Sequence, residues 1–159
     1  MDILKAAYIL SRQARPNLQE FLFVKDLIAQ GVGVRSADVI RSSSALTRFF
    51  SSDSAIVKWN NIENEIARGI DEGIQFIYPG HEDYPLEYNF IEDQPLFLNY
   101  IGSPIWKKSC NFSIVGSREP TRLSEIWCEQ VLKEILTCLQ ICIVSGGARG
   151  IDQCAHRKI

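Results

Sequence analysis

Apolar residues at Ile3, Ala6, Ala7 and Leu10, and again at Phe21, Val24, Leu27 and Ile28, recur at the spacing that lines one face of an α-helix. Asn17 followed three residues later by Glu20 predicts a capped helix start between these two stretches. Between Leu27 and Ile40 the segment Gly31-Val32-Gly33 separates two apolar helical stretches, with Ala37 and Ile40 at packing positions of the second. That arrangement resembles a helix-hairpin-helix, in which glycines permit a tight turn and leave amides free to meet a phosphate. A plain helix–helix turn capped by glycine fits the same residues. A further helix is expected from about Ser54 to Glu72, and the serine-rich segments at 41–44 and 50–54 read as loops or helix starts.

After Gly73 the period changes. Ile74 to Tyr78 and Leu96 to Ile101 are short, apolar and rich in branched or aromatic side chains, punctuated by Pro79-Gly80, Tyr84-Pro85 and Gly102-Ser103-Pro104, so both are predicted strands. Phe112 to Val115 and Ile141 to Val144 read the same way, with an amphipathic stretch at about 124–139 between them and a helical piece from about Gly150. Strand, helix, strand, helix without a hairpin turn implies a parallel βαβ arrangement. The expected fold is α/β: an all-helical domain over residues 1–72, of helix-hairpin-helix or SAM-like type, followed by an incomplete Rossmann-like parallel sheet with flanking helices over 73–159.

Composition adds the environment. At 46% hydrophobic residues the chain can fill a core, and no apolar run approaches the roughly 20 residues of a membrane span. An acid at Asp2 and the lack of a small-residue cleavage site speak against a signal peptide, so a cytoplasmic location and no membrane partner are expected. Five cysteines (Cys110, Cys128, Cys138, Cys142 and Cys154) form no C-x-x-C pair and are expected to be reduced and mostly buried. Cys154 and His156 alone, at i and i+2, fall short of a zinc site, so no metal or cofactor is expected.

The net charge of −2 is unevenly spread. Residues 107–159 carry eight Lys or Arg against five Asp or Glu, whereas nine acids crowd between Glu63 and Asp93. A phosphate site is therefore expected late in the chain. Two segments there carry the chemistry. In Ile114-Val115-Gly116-Ser117-Arg118-Glu119 a strand ends in Gly116 and Ser117, which allow close backbone approach and supply a hydroxyl, and Arg118 offers a planar two-pronged cation. In Ile143-Val144-Ser145-Gly146-Gly147-Ala148-Arg149-Gly150 a second strand runs into a glycine-rich turn and a helix start. Two such turns after neighbouring parallel strands would face one crevice. Neither has the spacing of a dinucleotide fingerprint or a P-loop.

With Thr121 after the first turn, and Ile151-Asp152 and Ala155-His156-Arg157 after the second, these segments are similar to the paired signatures of the DprA/Smf family. Asp83-Tyr84-Pro85-Leu86 and Asp93-Gln94-Pro95-Leu96-Phe97-Leu98 resemble that family's lead-in segment, and the likeness runs from about Gly73 to Arg157. The resemblance implies a non-enzymatic protein that binds single-stranded DNA without sequence preference, acts in natural transformation and recombination, loads the RecA recombinase and can self-associate. By position, Gly116, Ser117, Arg118, Ser145, Gly146, Gly147, Ala148 and Arg149 would hold the DNA backbone. Family members continue through further strands and helices, so the chain is expected to carry the first part of the domain only, with an unpaired sheet edge and weakened activity. A nucleotide-handling enzyme or sensor, with Glu119 as its acid, is one alternative. A vestigial fragment whose helical domain mediates interactions is another. Asp152 and His156, at i and i+4, read as a helix-capping acid and a structural histidine that could pair, and Trp59, Trp106 and Trp127 as packing residues.

Overall fold

A computed structural model describes residues 1–13, 16–107, 110–138 and 140–157. They divide into two compact units, Met1–Ser103 and Pro104–Ile159.

The first unit opens with five helices: α1 (Asp2–Ser11), α2 (Leu18–Ala29), α3 (Ala37–Arg41), α4 (Ser44–Phe50) and α5 (Ala55–Asp71). Each of α2, α3 and α4 starts on a side-chain cap. Asn17, Ser36 and Ser43 accept from the amides of Glu20, Val39 and Leu46, removing three orphan donors. The turn between α2 and α3 has Gly31 at φ +86°, a conformation costly for any residue with a β-carbon. One core joins Leu10, Phe21, Val24, Val39, Leu46 and Trp59, all from the helical stretches. The buried ammonium of Lys5 crosses that core's rim, 2.9 Å from Glu63 Oε2, 3.4 Å from Asp2 Oδ1 and 4.4 Å from the centre of the Trp59 ring. Its charge is thus paired and stacked rather than stranded in apolar surroundings.

Two strands complete this unit, β1 (Ile74–Ile77) and β2 (Leu98–Ile101), paired antiparallel with Ile74 opposite Ile101 and Ile77 opposite Leu98. They form a sheet of their own rather than joining the parallel sheet downstream. Gly73 therefore marks a change of element type, from α5 to β1, while the compact units divide at Ser103. The connection between β1 and β2 is tied down by Tyr84, which is buried and donates from its hydroxyl to the Pro95 carbonyl at 2.7 Å. Burial pushes its phenol up to about 12 from the ordinary value of 10.0. Unfolding frees the phenol to ionise near its ordinary value, so this contribution to stability is complete below about pH 10 and declines as pH rises towards about 12. In urea titrations Tyr84→Phe is expected to flatten that alkaline loss, and an unchanged slope would contradict it.

The second unit contains β3 (Cys110–Ser113), α6 (Arg122–Cys138), β4 (Ile141–Val144) and α7 (Ile151–Arg157). The two strands pair in parallel, Cys110 opposite Ile141 and Ser113 opposite Val144, and α6 is the crossover between them. The first strand sits two residues earlier than its apolar pattern predicts. The ladder ends where β4 ends, so Ile114 gives only its amide to Val144, and Val115 is exposed in the turn beyond. Cys128, Leu132, Ile151, Cys154 and Ala155 form the small core beneath α6 and α7. Of the cysteines, Cys128, Cys142 and Cys154 are buried and Cys110 is exposed, and the side chain of Cys138 lies outside the described residues. Trp59 packs in a core as its surroundings require, but Trp127 stands on the outer face of α6 beside exposed Leu123 and Ile126. No helix among the described residues is long and apolar enough to cross a membrane.

Candidate phosphate-binding site

The two glycine turns of the second unit touch. The Ile151 amide donates to the Ser117 carbonyl at 3.2 Å, so the start of α7 is stitched to the turn that follows β3. Gly116 allows this approach: a β-carbon there would lie 2.7 Å from the Ile151 side chain. Gly150 is held still more tightly. It has φ +94°, and a β-carbon on it would collide with the Ser117 carbonyl and lie 2.9 Å from the Arg118 backbone. These glycines bring the backbones of the two turns together.

Within the second turn several groups are already engaged. Asp152, buried at the start of α7, accepts from the Ala148 amide at 3.4 Å, and its carboxylate sits close under Gly146. The Ala148 carbonyl accepts from Gln153. Ser145 Oγ is buried without a hydrogen-bond partner among the described residues. The Ser145 carbonyl lies 3.4 Å from His156 Nε2, which satisfies it when that nitrogen carries the proton. Asp152 and His156 therefore anchor different parts of the turn instead of pairing with each other. Gly147 is exposed at φ +71° with open space above it. In the first turn exposed Ser117 accepts from the Glu119 amide at 3.1 Å, which leaves its own proton free to donate.

The ionic chemistry lies beside these turns. A cavity of about 420 Å³ is lined by Arg118 and Arg149 from the turns, Gln153 and Arg157 from α7, and Glu125 and Glu129 from α6. Pro120, Gly150 and Cys154 fill the less polar wall. Arg149 reaches across to Glu119 at 2.9 Å, an ion pair with 71% and 82% of its two side chains exposed, so it contributes little to stability. Arg157 donates to the Gln153 side chain at 3.2 Å. Among the described residues Arg118 and Glu125 make no ion pair, although both face the cavity. The thiols behind it are poor nucleophiles: burial, then the neighbouring Cys154, pushes Cys128 above its ordinary value, and burial does the same to Cys142.

Of the eight residues singled out in sequence, Arg118 and Arg149 line this cavity, and Gly116 and Gly146 shape the turns behind it. Ser145 and Ala148 present neither a free hydroxyl nor a free amide to solvent. Glu125, Glu129, Gln153 and Arg157 were not among the eight. On a helical pattern they read as a solvated face, and only the packing of α6 beside α7 reveals that they share a cavity. No group of three or more metal-binding side chains occurs among the described residues.

The sequence model of the family described as DNA recombination-mediator protein A matches residues 75–159. The X-ray structure of DNA processing protein A (DprA) from Streptococcus pneumoniae aligns with 98% of this chain and 51% of its own, at a TM-score of 0.63 and 21% identity. That likeness shows the fold, and the chain spans about half the length of that protein. No curated protein matches it. With more than half of its residues matched by the family model, the chain belongs to the DNA recombination-mediator protein A family, which acts in DNA processing and recombination.

Proposed function

We propose that the second unit binds the phosphate backbone of single-stranded DNA without sequence preference, as the DNA-holding part of a recombination mediator that hands strands to RecA. The observation that supports this most is the convergence of three guanidinium groups, Arg118, Arg149 and Arg157, on one open cavity beside two touching glycine turns. Guanidinium forks hold phosphates with paired hydrogen bonds, and contacts of this kind supply affinity that does not depend on base sequence. The phosphate is held chiefly by side chains, since the Ala148 and Ile151 amides already have partners. Nothing in the role requires a reaction to be catalysed. Self-association and a cytoplasmic location belong to the same reading.

Fluorescence anisotropy of a labelled oligo-dT across a salt series tests it. Binding is expected to weaken as salt rises. Arg118→Ala is expected to weaken it about tenfold and to lower the salt slope by about one, as loss of one phosphate contact requires. Duplex DNA, whose phosphates are held apart on a stiff rod, is expected to bind more weakly. Absence of binding by folded protein, or an unchanged Arg118→Ala variant, would overturn the reading.

A further inference from the structure

A cavity that served phosphates alone would be lined by cations, yet two acidic residues of α6 line this one as well. Glu125 and Glu129 are four residues apart and so lie on the same helical face. Among the described residues neither Glu125 nor Arg118, which lines the same cavity, makes an ion pair. The cavity thus has a cationic side formed by the turns and α7 and an anionic side formed by α6. A carboxylate near bound phosphate costs affinity through like-charge repulsion, unless the ligand also brings a hydrogen-bond donor to it.

We infer that the Glu125 carboxylate on α6 accepts a hydrogen bond from the exocyclic amino group of a nucleobase whose own strand phosphates lie on the arginines. The site therefore favours amino-bearing bases over thymine. This rests on the phosphate-binding reading above and adds a composition bias at one nucleotide to it. Cytosine, adenine and guanine each carry an amino group, and a carboxylate accepting from cytosine N4 is a standard pairing. Thymine offers a single imide N–H flanked by two carbonyl oxygens, which repel a carboxylate. The cavity volume of about 420 Å³ lies in the range of small-ligand sites. Pro120 and Cys154 supply apolar surface for a ring, and the Gln153 side chain, already accepting from Arg157, can still donate from its amide.

The test compares labelled oligo-dT with an oligomer of 5-methyl-deoxycytidine, which keeps the thymine methyl group and carries a 4-amino group and a bare N3 in place of the 4-oxygen and the imide N–H. The full chain is expected to bind the methylcytosine strand about fivefold more tightly. In the Glu125→Gln/Glu129→Gln double variant, with folding checked by far-UV circular dichroism, the preference is expected to vanish while oligo-dT binds more tightly. Equal affinities in the unaltered protein, with binding still dependent on Arg118, would overturn the base reading and leave the phosphate site standing. A preference that persists in the double variant would also overturn it. If neither oligomer binds, both readings fall together.

Discussion

Replacing Gly150 by alanine is expected to destabilise the second unit by about 3 to 5 kcal/mol. Two costs add. At φ +94° an L-residue strains its own backbone, at about 1 to 2 kcal/mol. The new methyl group also meets main chain, the Ser117 carbonyl and the Arg118 backbone, so a loop must move rather than a side chain rotate. Moving it breaks the Ile151-to-Ser117 hydrogen bond and separates the turns. The unit has little to absorb the loss, since its apolar cluster centres on five buried residues among those described. Hydrogen exchange followed by mass spectrometry should show peptides spanning 141–157 losing most of their protection. Gly147→Ala, at φ +71° but with open space around it, should show the conformational cost alone. Equal protection in the two variants would mean that the turns are not in contact.

Phe21→Ala is expected to cost the first unit about 3 to 5 kcal/mol. The ring is fully buried at the centre of the helical core and meets Tyr78 edge-on at 6.0 Å, so it ties α2 to the segment after β1. The truncation leaves a cavity that the packed helices cannot close without breaking the Asn17 cap of α2 and the contacts between α1 and α2. For a unit of this size the loss corresponds to a melting temperature about 15 °C lower or more. Phe23, two residues along the same helix and 56% exposed, is the matched control, and its truncation should stay within about 0.5 kcal/mol. Thermal melts followed by circular dichroism decide the matter, and similar losses in the two variants would refute the packing described for α2.

How far these features could be read from sequence depends on the range of the interaction. The helices α1, α2 and α5, the Asn17 cap and the parallel β3–α6–β4 unit follow from local periodicity and short connections, so their signals lie within a few residues. Pairing is different. Ile74 to Ile77 and Leu98 to Ile101 look like strands by composition, but nothing in either names its partner, and their antiparallel sheet belongs to the first unit. The apolar stretch after Gly33 does become α3, but that helix buries Val39 while Ala37 is exposed, because five residues are too few to fix a periodic face, and the equally short α4 shows no such face in sequence. At the candidate site, Arg118 and Arg149 stand next to glycine turns and are conspicuous. Glu125, Glu129 and Arg157 become neighbours only once α6 and α7 pack, and the role of Gly150 lies in a steric contact with a loop distant in sequence.

The ammonium stacked on Trp59 has an optical consequence. Trp59 is 3% exposed, with Lys5 against its ring, whereas Trp127 is 65% exposed on α6. Iodide in solution should quench the emission of Trp127 and leave that of Trp59 nearly untouched. The helical unit thus carries one shielded indole, while the arginine-lined unit carries exposed Trp127 beside half-buried Trp106, so the iodide-quenched part of the emission reports on the second unit in an unlabelled sample.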